Sequence, residues 1–246
     1  MLILLPPSEG KADGPASAPP LALESLVHAD VLTEARALLV AELEALAVAP
    51  PEIALDALGL TERQTAELDR NALLSGAPVA PAAEIYTGIL FRHLDLGSLT
   101  AAQRRRARER VRIMSALWGV LGLDDEIPAY RLSATAHVGP AGGLGAFWRP
   151  LLDRALAGTD GLVVDCRSGP YRKLWRPPAA ATVVTIEATD KRGRRISHMA
   201  KAVRGAVTRR LLYATRAPRT PRGLLSHVDG IGDSAHLESP AGRGQP

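Results

Sequence analysis

Residues 1–11 read MLILLPPSEGK, and this opening decides how the rest of the chain is read. Leu2 to Leu5 form a short unbroken apolar run, and Pro6 and Pro7 stop it at once. A continuous apolar run of this length suits a strand buried on both faces, as in a parallel sheet. The loop that follows, Pro6 to Pro20, holds Gly10, Lys11, Gly14 and five prolines, so it continues neither strand nor helix. A loop hung from the end of a buried strand is where ligand contacts concentrate. The same segment argues against a secretory leader, whose apolar stretch would be longer and preceded by basic residues.

Further strands are expected at Val111 to Leu117, Leu162 to Cys166 and Ala181 to Thr189. The last should turn at Asp190 to Gly193 and return over Arg194 to Ser197. Between these lie helical patterns. Asp30 to Ala47 carries Leu32, Ala35, Leu39, Leu43 and Leu46 at helical spacing, closed by Pro50 and Pro51. Pro51 to Leu58 and Thr61 to Leu74 form a helical pair around Leu58, Gly59 and Leu60. A helix starting at Thr100 has Thr100 and Gln103 in capping-box positions and carries Arg104, Arg105, Arg106, Arg108, Arg110 and Arg112. Leu144 to Ala157 and Ser197 to Ala214 complete the set. The glycines at 142, 143 and 145 match no phosphate-loop pattern and read as a turn, and Gly230 and Gly232 give only a faint hairpin signal. These patterns give an α/β fold, with a mixed central sheet, surrounding helices and a single domain over 1–238. The Gly- and Pro-rich stretch 239–246 is expected to be a disordered tail.

Charge is divided along the chain. Residues 1–100 carry 5 Lys/Arg against 14 Asp/Glu, whereas residues 101–246 carry 25 against 12. A concentrated positive surface attracts polyanions. Arg-rich, Ala-rich composition with only four lysines also arises without any partner, so charge alone leaves both readings open. The six histidines are scattered and the one cysteine, Cys166, stands in an apolar strand pattern. No metal site or cofactor is expected from such spacing, and Cys166 reads as a buried structural thiol. No run is long enough to span a bilayer, and the chain reads as a soluble cytoplasmic protein with its oligomeric state open.

Rare residues gather at element ends: Lys11, Tyr86 and Thr87, Trp118, Tyr130 and Arg131, Phe147 and Trp148, Ser168, Tyr171 and Lys173, Lys201 and Arg204. Aromatic faces mixed with Lys and Arg suit a groove that packs bases or sugars while pairing with phosphates. Aromatics also fill cores.

The segments MLILLPPSEGK, IYTG at 85–88, SALWGVL at 115–121, YRL at 130–132, FW at 147–148, SGPY at 168–171 and AKAVRG at 200–205 make the chain resemble the YaaA family of bacterial peroxide-stress proteins. The resemblance implies a cytoplasmic protein that limits free iron and DNA damage under hydrogen peroxide. It also implies a DNA-binding α/β fold with a helix-hairpin-helix element, here 51–74, and a positively charged cleft. Lys11, Tyr130, Arg131, Ser168, Tyr171, Lys201 and Arg204 fall on the family's motif positions. Pro170 and Ser133 stand where many members carry Glu, so no acid–base role transfers to those two positions.

Two functions follow. One is DNA binding through backbone or shape, with Lys11, Tyr130, Arg131, Lys173, Lys201 and Arg204 lining the cleft. The other is an enzyme or binder for a phosphorylated or nucleotide small molecule, with Ser168 or Tyr171 as the reactive hydroxyl. Convergence of Lys11, Tyr130, Arg131 and Tyr171 in a space too narrow for a duplex would favour the second.

Overall fold

The computed structural model describes residues 1–138, 143–189, 192, 194, 196–228 and 231. In chain order its elements are β1 (Leu2–Leu5), α1 (Ala29–Ala47), α2 (Pro51–Leu58), α3 (Ala66–Asp69), β2 (Ala80–Pro81), α4 (Ala82–Ile85), α5 (Ile89–Leu94) and α6 (Ala101–Arg110). Then come β3 (Val111–Ser115), β4 (Gly119–Leu121), β5 (Glu126–Ile127), α7 (Leu144–Ala155), β6 (Gly161–Asp165), α8 (Gly169–Arg172), β7 (Ala181–Thr185), α9 (Ser197–Tyr213) and α10 (Pro221–Val228). Five strands make a mixed sheet in the order β4-β3-β1-β6-β7, and β2 pairs with β5 in a separate short ladder.

The opening run does form the centre of the sheet. Ile3, Leu4 and Leu5 are fully buried, and β1 runs parallel to β3 on one side and to β6 on the other. β7 extends the sheet in parallel beyond β6, while β4 folds back antiparallel on β3. A continuous apolar core joins these strands to α1, α5, α7, α9 and α10.

Four expectations need correction, three of them in the bounds of elements. The strand expected over Val111 to Leu117 stops at Ser115 and returns as β4 after a turn. Gly119 sits there with φ +70°, and a Cβ at that position would lie 2.8 Å from the Trp148 ring, so the turn needs glycine twice over. The helix expected over Thr61 to Leu74 is instead a 3₁₀ turn at Glu62–Gln64, one helical turn at α3, and further turns. The strand expected to reach Thr189 ends at Thr185, and a bond from the Ile196 N–H to the Ala188 carbonyl continues the return. Asp190, Lys191 and Gly193 of its expected turn, Gly142, Gly230, Gly232 and the whole 239–246 tail lie outside the described residues.

The arginine-rich segment is mostly architectural. Thr100 and Gln103 cap α6 as expected, the Thr100 N–H donating to Gln103 Oε1 at 2.8 Å. Arg106 then donates to the Leu212 carbonyl at 2.8 Å and Arg110 to the Ala214 carbonyl at 2.9 Å, both at the end of α9. Arg209 does the same for α5, reaching the Leu94 and Asp95 carbonyls at 3.0 and 2.7 Å. Helix C-termini leave carbonyls unpaired and carry partial negative charge, so guanidinium groups satisfy both needs. Arg112, placed in the helix by its sequence pattern, lies instead in β3 and donates to the Arg108 and Val111 carbonyls.

Helices α5 and α9 cross closely at Gly205. A Cβ there would run into the Leu90 carbonyl oxygen and come within 2.8 Å of His93 Cβ. Gly205→Ala should lower stability by about 1–3 kcal/mol, the range for overpacking, read as a drop in the urea midpoint.

Candidate active site

The site forms where the chain leaves the carboxyl ends of β1, β3 and β6. Because β3 and β6 flank β1 on opposite sides, loops leaving β1 and β6 part there, and open α/β sheets bind ligands in such crevices. The β1 loop supplies Ser8 to Lys11 and the β6 loop supplies Ser168 to Lys173. The IYTG segment is zipped onto the first loop. Lys11 and Tyr86 form an antiparallel bridge, Ala12 N–H donates to the Ile85 carbonyl at 2.9 Å, and Thr87 N–H donates to the Gly10 carbonyl at 3.2 Å.

Lys11 is the pivot. Its Nζ donates to the Ser8 carbonyl at 2.8 Å and, more weakly, to the Glu9 carbonyl at 3.5 Å. It lies 4.2 Å from the centre of the Tyr130 ring and 5.8 Å from that of Tyr86. Only 9% of the residue is exposed. Burial, followed by the Arg131 charge, pulls its pKa down to about 7, with Arg70 adding to the fall and Glu67 and Glu9 opposing it. Near neutral pH this amine is therefore free for much of the time, which an ordinary lysine is not.

Beneath Lys11 runs a chain of hydroxyls. Ser115, the last residue of β3, accepts the N–H groups of Leu117 and Trp118 at 3.2 and 3.1 Å. Its own hydrogen therefore goes to the Tyr130 hydroxyl, 2.7 Å away. The Tyr86 and Tyr130 hydroxyls are 2.9 Å apart, and that contact uses one of their two hydrogens. Among the described residues no further acceptor is seen for the other phenolic hydrogen. Burial is the main reason that Tyr130 is pushed up to about 12 and Tyr86 well above its ordinary value, so both phenols keep their protons. Among the described residues Ser8 Oγ and Trp118 Nε1 are also buried without a partner, and Trp118 packs edge-on against Tyr130 at 5.7 Å. Buried donors without acceptors are costly, and an acceptor-rich ligand would relieve them.

Tyr171 joins this cluster from the β6 side. Its hydroxyl faces the Ala134 backbone N–H, and burial followed by the nearby Tyr130 raises its pKa; Glu9 and Arg131 also act on it. Arg131 is held by Asn71, whose side chain bonds the Arg131 N–H and carbonyl, each at 2.8 Å. Arg70 donates to the Lys11 carbonyl at 3.3 Å. The 51–74 segment thus serves as a wall of the site. Its turn amides are already spent: Gly59 and Leu60 N–H groups cap α2 through Asp56 and Leu55, and the Thr61 N–H goes to Gln64 Oε1 at 3.1 Å.

Lys11, Tyr130, Arg131 and Tyr171 thus come together. Ser168, half-buried, precedes α8 without capping it. Lys173 and Lys201 are exposed, and Arg204 is committed through Nε to the Ile186 carbonyl at 3.0 Å. Among the described residues no contact ties these three to Lys11. Arg204 faces Arg172, Glu187, Asp165 and Cys166 instead. Cys166 is fully buried, and burial pushes its thiol up to about 12, as suits a structural cysteine. Sequence reading did not place Asn71, Arg70, Ser115 or Ser8 in the site. Tyr86 stood in a marked group, and its bridge to Lys11 supplies its place.

No group of three His, Cys, Asp or Glu among the described residues is placed to hold a metal. No helix among them is long and apolar enough to cross a membrane. A cavity of about 1040 Å³ between Met1, Gly161 and Arg216 to Arg219 contains none of the site residues.

A family model described as Peroxide stress protein YaaA matches residues 1–224. The chain is 40% identical over 251 residues to a UPF0246 protein of Streptomyces coelicolor, covering 100% of this chain and 96% of that one. It is 39% identical over 243 residues to a UPF0246 protein of Corynebacterium efficiens, covering 96% and 95% of the two chains. A UPF0246 protein of Corynebacterium glutamicum is 36% identical over 238 residues, covering 94% and 93%. By this match over residues 1–224 and these identities over nearly the whole chain, the chain belongs to the YaaA family of peroxide stress proteins.

Proposed function

We propose that this cytoplasmic peroxide-stress protein binds and acts on a small anionic compound, phosphorylated or nucleotide in type, in the crevice at Lys11. The observation that carries the reading is the gathering of Lys11, Tyr130, Arg131 and Tyr171 around buried donors that lack acceptors. Arg131 attracts the anion, Lys11 supplies a free amine, and the tyrosine hydroxyls offer hydrogen bonds. Lys11 is only 9% exposed, which suits a compact ligand better than the broad face of a duplex. Protection against iron-dependent DNA damage then acts through that compound. Calorimetric titration with nucleoside mono- and diphosphates tests it. Saturable binding weakened about tenfold or more by Arg131→Ala is expected, since charge-assisted bonds contribute about 1.5–3 kcal/mol. Absence of binding, or indifference to the substitution, overturns it.

A second reading, DNA held by its phosphates, is favoured by the exposure of Lys173 and Lys201. It draws little from the 51–74 hairpin, whose amides are engaged, or from the arginines that cap helices. If DNA is the partner, affinity for short duplex falls steeply with salt, and the slope lessens by about one for each of Lys173→Ala and Lys201→Ala. A shallow slope untouched by both removes DNA as a partner.

A further inference from the structure

We infer that Lys11 is an imine-forming nucleophile, and that the compound taken into the crevice is a small aldehyde or ketone bearing a carboxylate or phosphate. The inference rests on the small-ligand reading and names its substrate class. As a free amine, Lys11 spends its two hydrogens on the Ser8 and Glu9 carbonyls, so its lone pair points away from both. The Tyr130 ring limits a second side. The bridge to Tyr86 holds the anchoring loop in place, so the lone pair keeps one direction.

The surrounding charges fit this substrate class. Arg131 and Arg70 disfavour the ammonium form, and Arg131 stands near Lys11 to attract an acidic substituent, whereas Arg70 is already paired with Asp13 and Glu67. A lysine kept neutral by burial and a cationic neighbour is the usual device for making an imine at neutral pH. Glu67 and Glu9 face the same group and prevent a larger fall in its pKa.

The step balances without an oxidant or reductant. The lone pair of Nζ forms the C–N bond while the carbonyl π pair moves to oxygen. The nitrogen, now cationic, releases a proton to solvent and the oxygen takes one up, so both phenols keep their protons. The resulting carbinolamine loses its hydroxyl as water, using the second amine hydrogen, and the C=N bond forms.

The chain has four lysines, which makes trapping easy to read. The intact protein is incubated at neutral pH with glyoxylate and sodium cyanoborohydride, and peptides are mapped for carboxymethyl-lysine by mass spectrometry. Lys11 should be trapped about tenfold faster or more than Lys173 and Lys201, because burial and Arg131 hold its amine free near neutral pH. Arg131→Ala should slow trapping by glyoxylate more than trapping by formaldehyde, which lacks a carboxylate. Lys11 left unmodified, or modified no faster than the exposed lysines, overturns the inference. If the same preparation still binds nucleoside phosphates in that case, only the imine chemistry falls. Loss of both removes the small-ligand reading as well.

Discussion

Lys11→Met should erase most of the rise in stability that the wild-type protein shows between pH 7 and pH 9. The folded-state pKa of Lys11 is lowered to about 7 from 10.5, so between those values the unfolded chain binds more protons than the folded one. Stability therefore increases with pH through that window. Below about pH 7 both states are protonated and the contribution is flat. Each pH unit within the window contributes roughly 1.4 kcal/mol, so the wild type should gain about 2–3 kcal/mol between pH 7 and pH 9 relative to Lys11→Met. Urea unfolding at a series of pH values measures the difference. Parallel curves would mean that Lys11 is an ordinary solvated lysine.

The second large effect lies beneath the β6 loop. Arg167 binds Asp165 in two places, Nε to Oδ1 at 2.9 Å and Nη2 to Oδ2 at 2.8 Å, and donates to the Trp175 carbonyl at 2.9 Å. The two side chains are 1% and 4% exposed. Removing one partner of a buried pair leaves the other charge uncompensated, so Asp165→Asn should cost about 3–5 kcal/mol. Adding Arg167→Met to Asp165→Asn should cost less than the two single changes summed, because neither charge is then left alone. A single substitution costing under about 1 kcal/mol would show that the pair is solvated and does not fix the loop that presents Tyr171.

Much of the scaffold was legible because it depends on local pattern. Leu2 to Leu5 ended by two prolines could hardly be anything but a buried strand, and Thr100 with Gln103 announced the start of α6. The departures arise where distant residues decide. The strand after Val111 breaks because Gly119 must turn against Trp148, a contact that spacing does not reveal. β7 does not alternate in burial, since Val183 is 44% exposed, so its reading as an alternating strand over-ran its end.

The site was legible as a set of marked residues and not as an arrangement. Lys11, Tyr130, Arg131 and Tyr171 were singled out, but nothing in the chain says that Asn71 grips Arg131 across 60 positions. Charge counting misled in one respect. Arg106, Arg110 and Arg209 contribute to the positive second half, yet their guanidinium groups are bound to helix-end carbonyls. A formal charge in the sequence does not tell whether its hydrogen-bond donors are already taken.

With four lysines in the chain, protein carrying ¹³C at lysine Cε gives four signals that can be followed through a pH titration. One of them, absent in Lys11→Met, should titrate with a midpoint near 7, and its midpoint should rise when a nucleoside phosphate is added. Four signals that all titrate near 10.5, unmoved by any phosphorylated compound, would contradict the existence of a reactive anion site at Lys11.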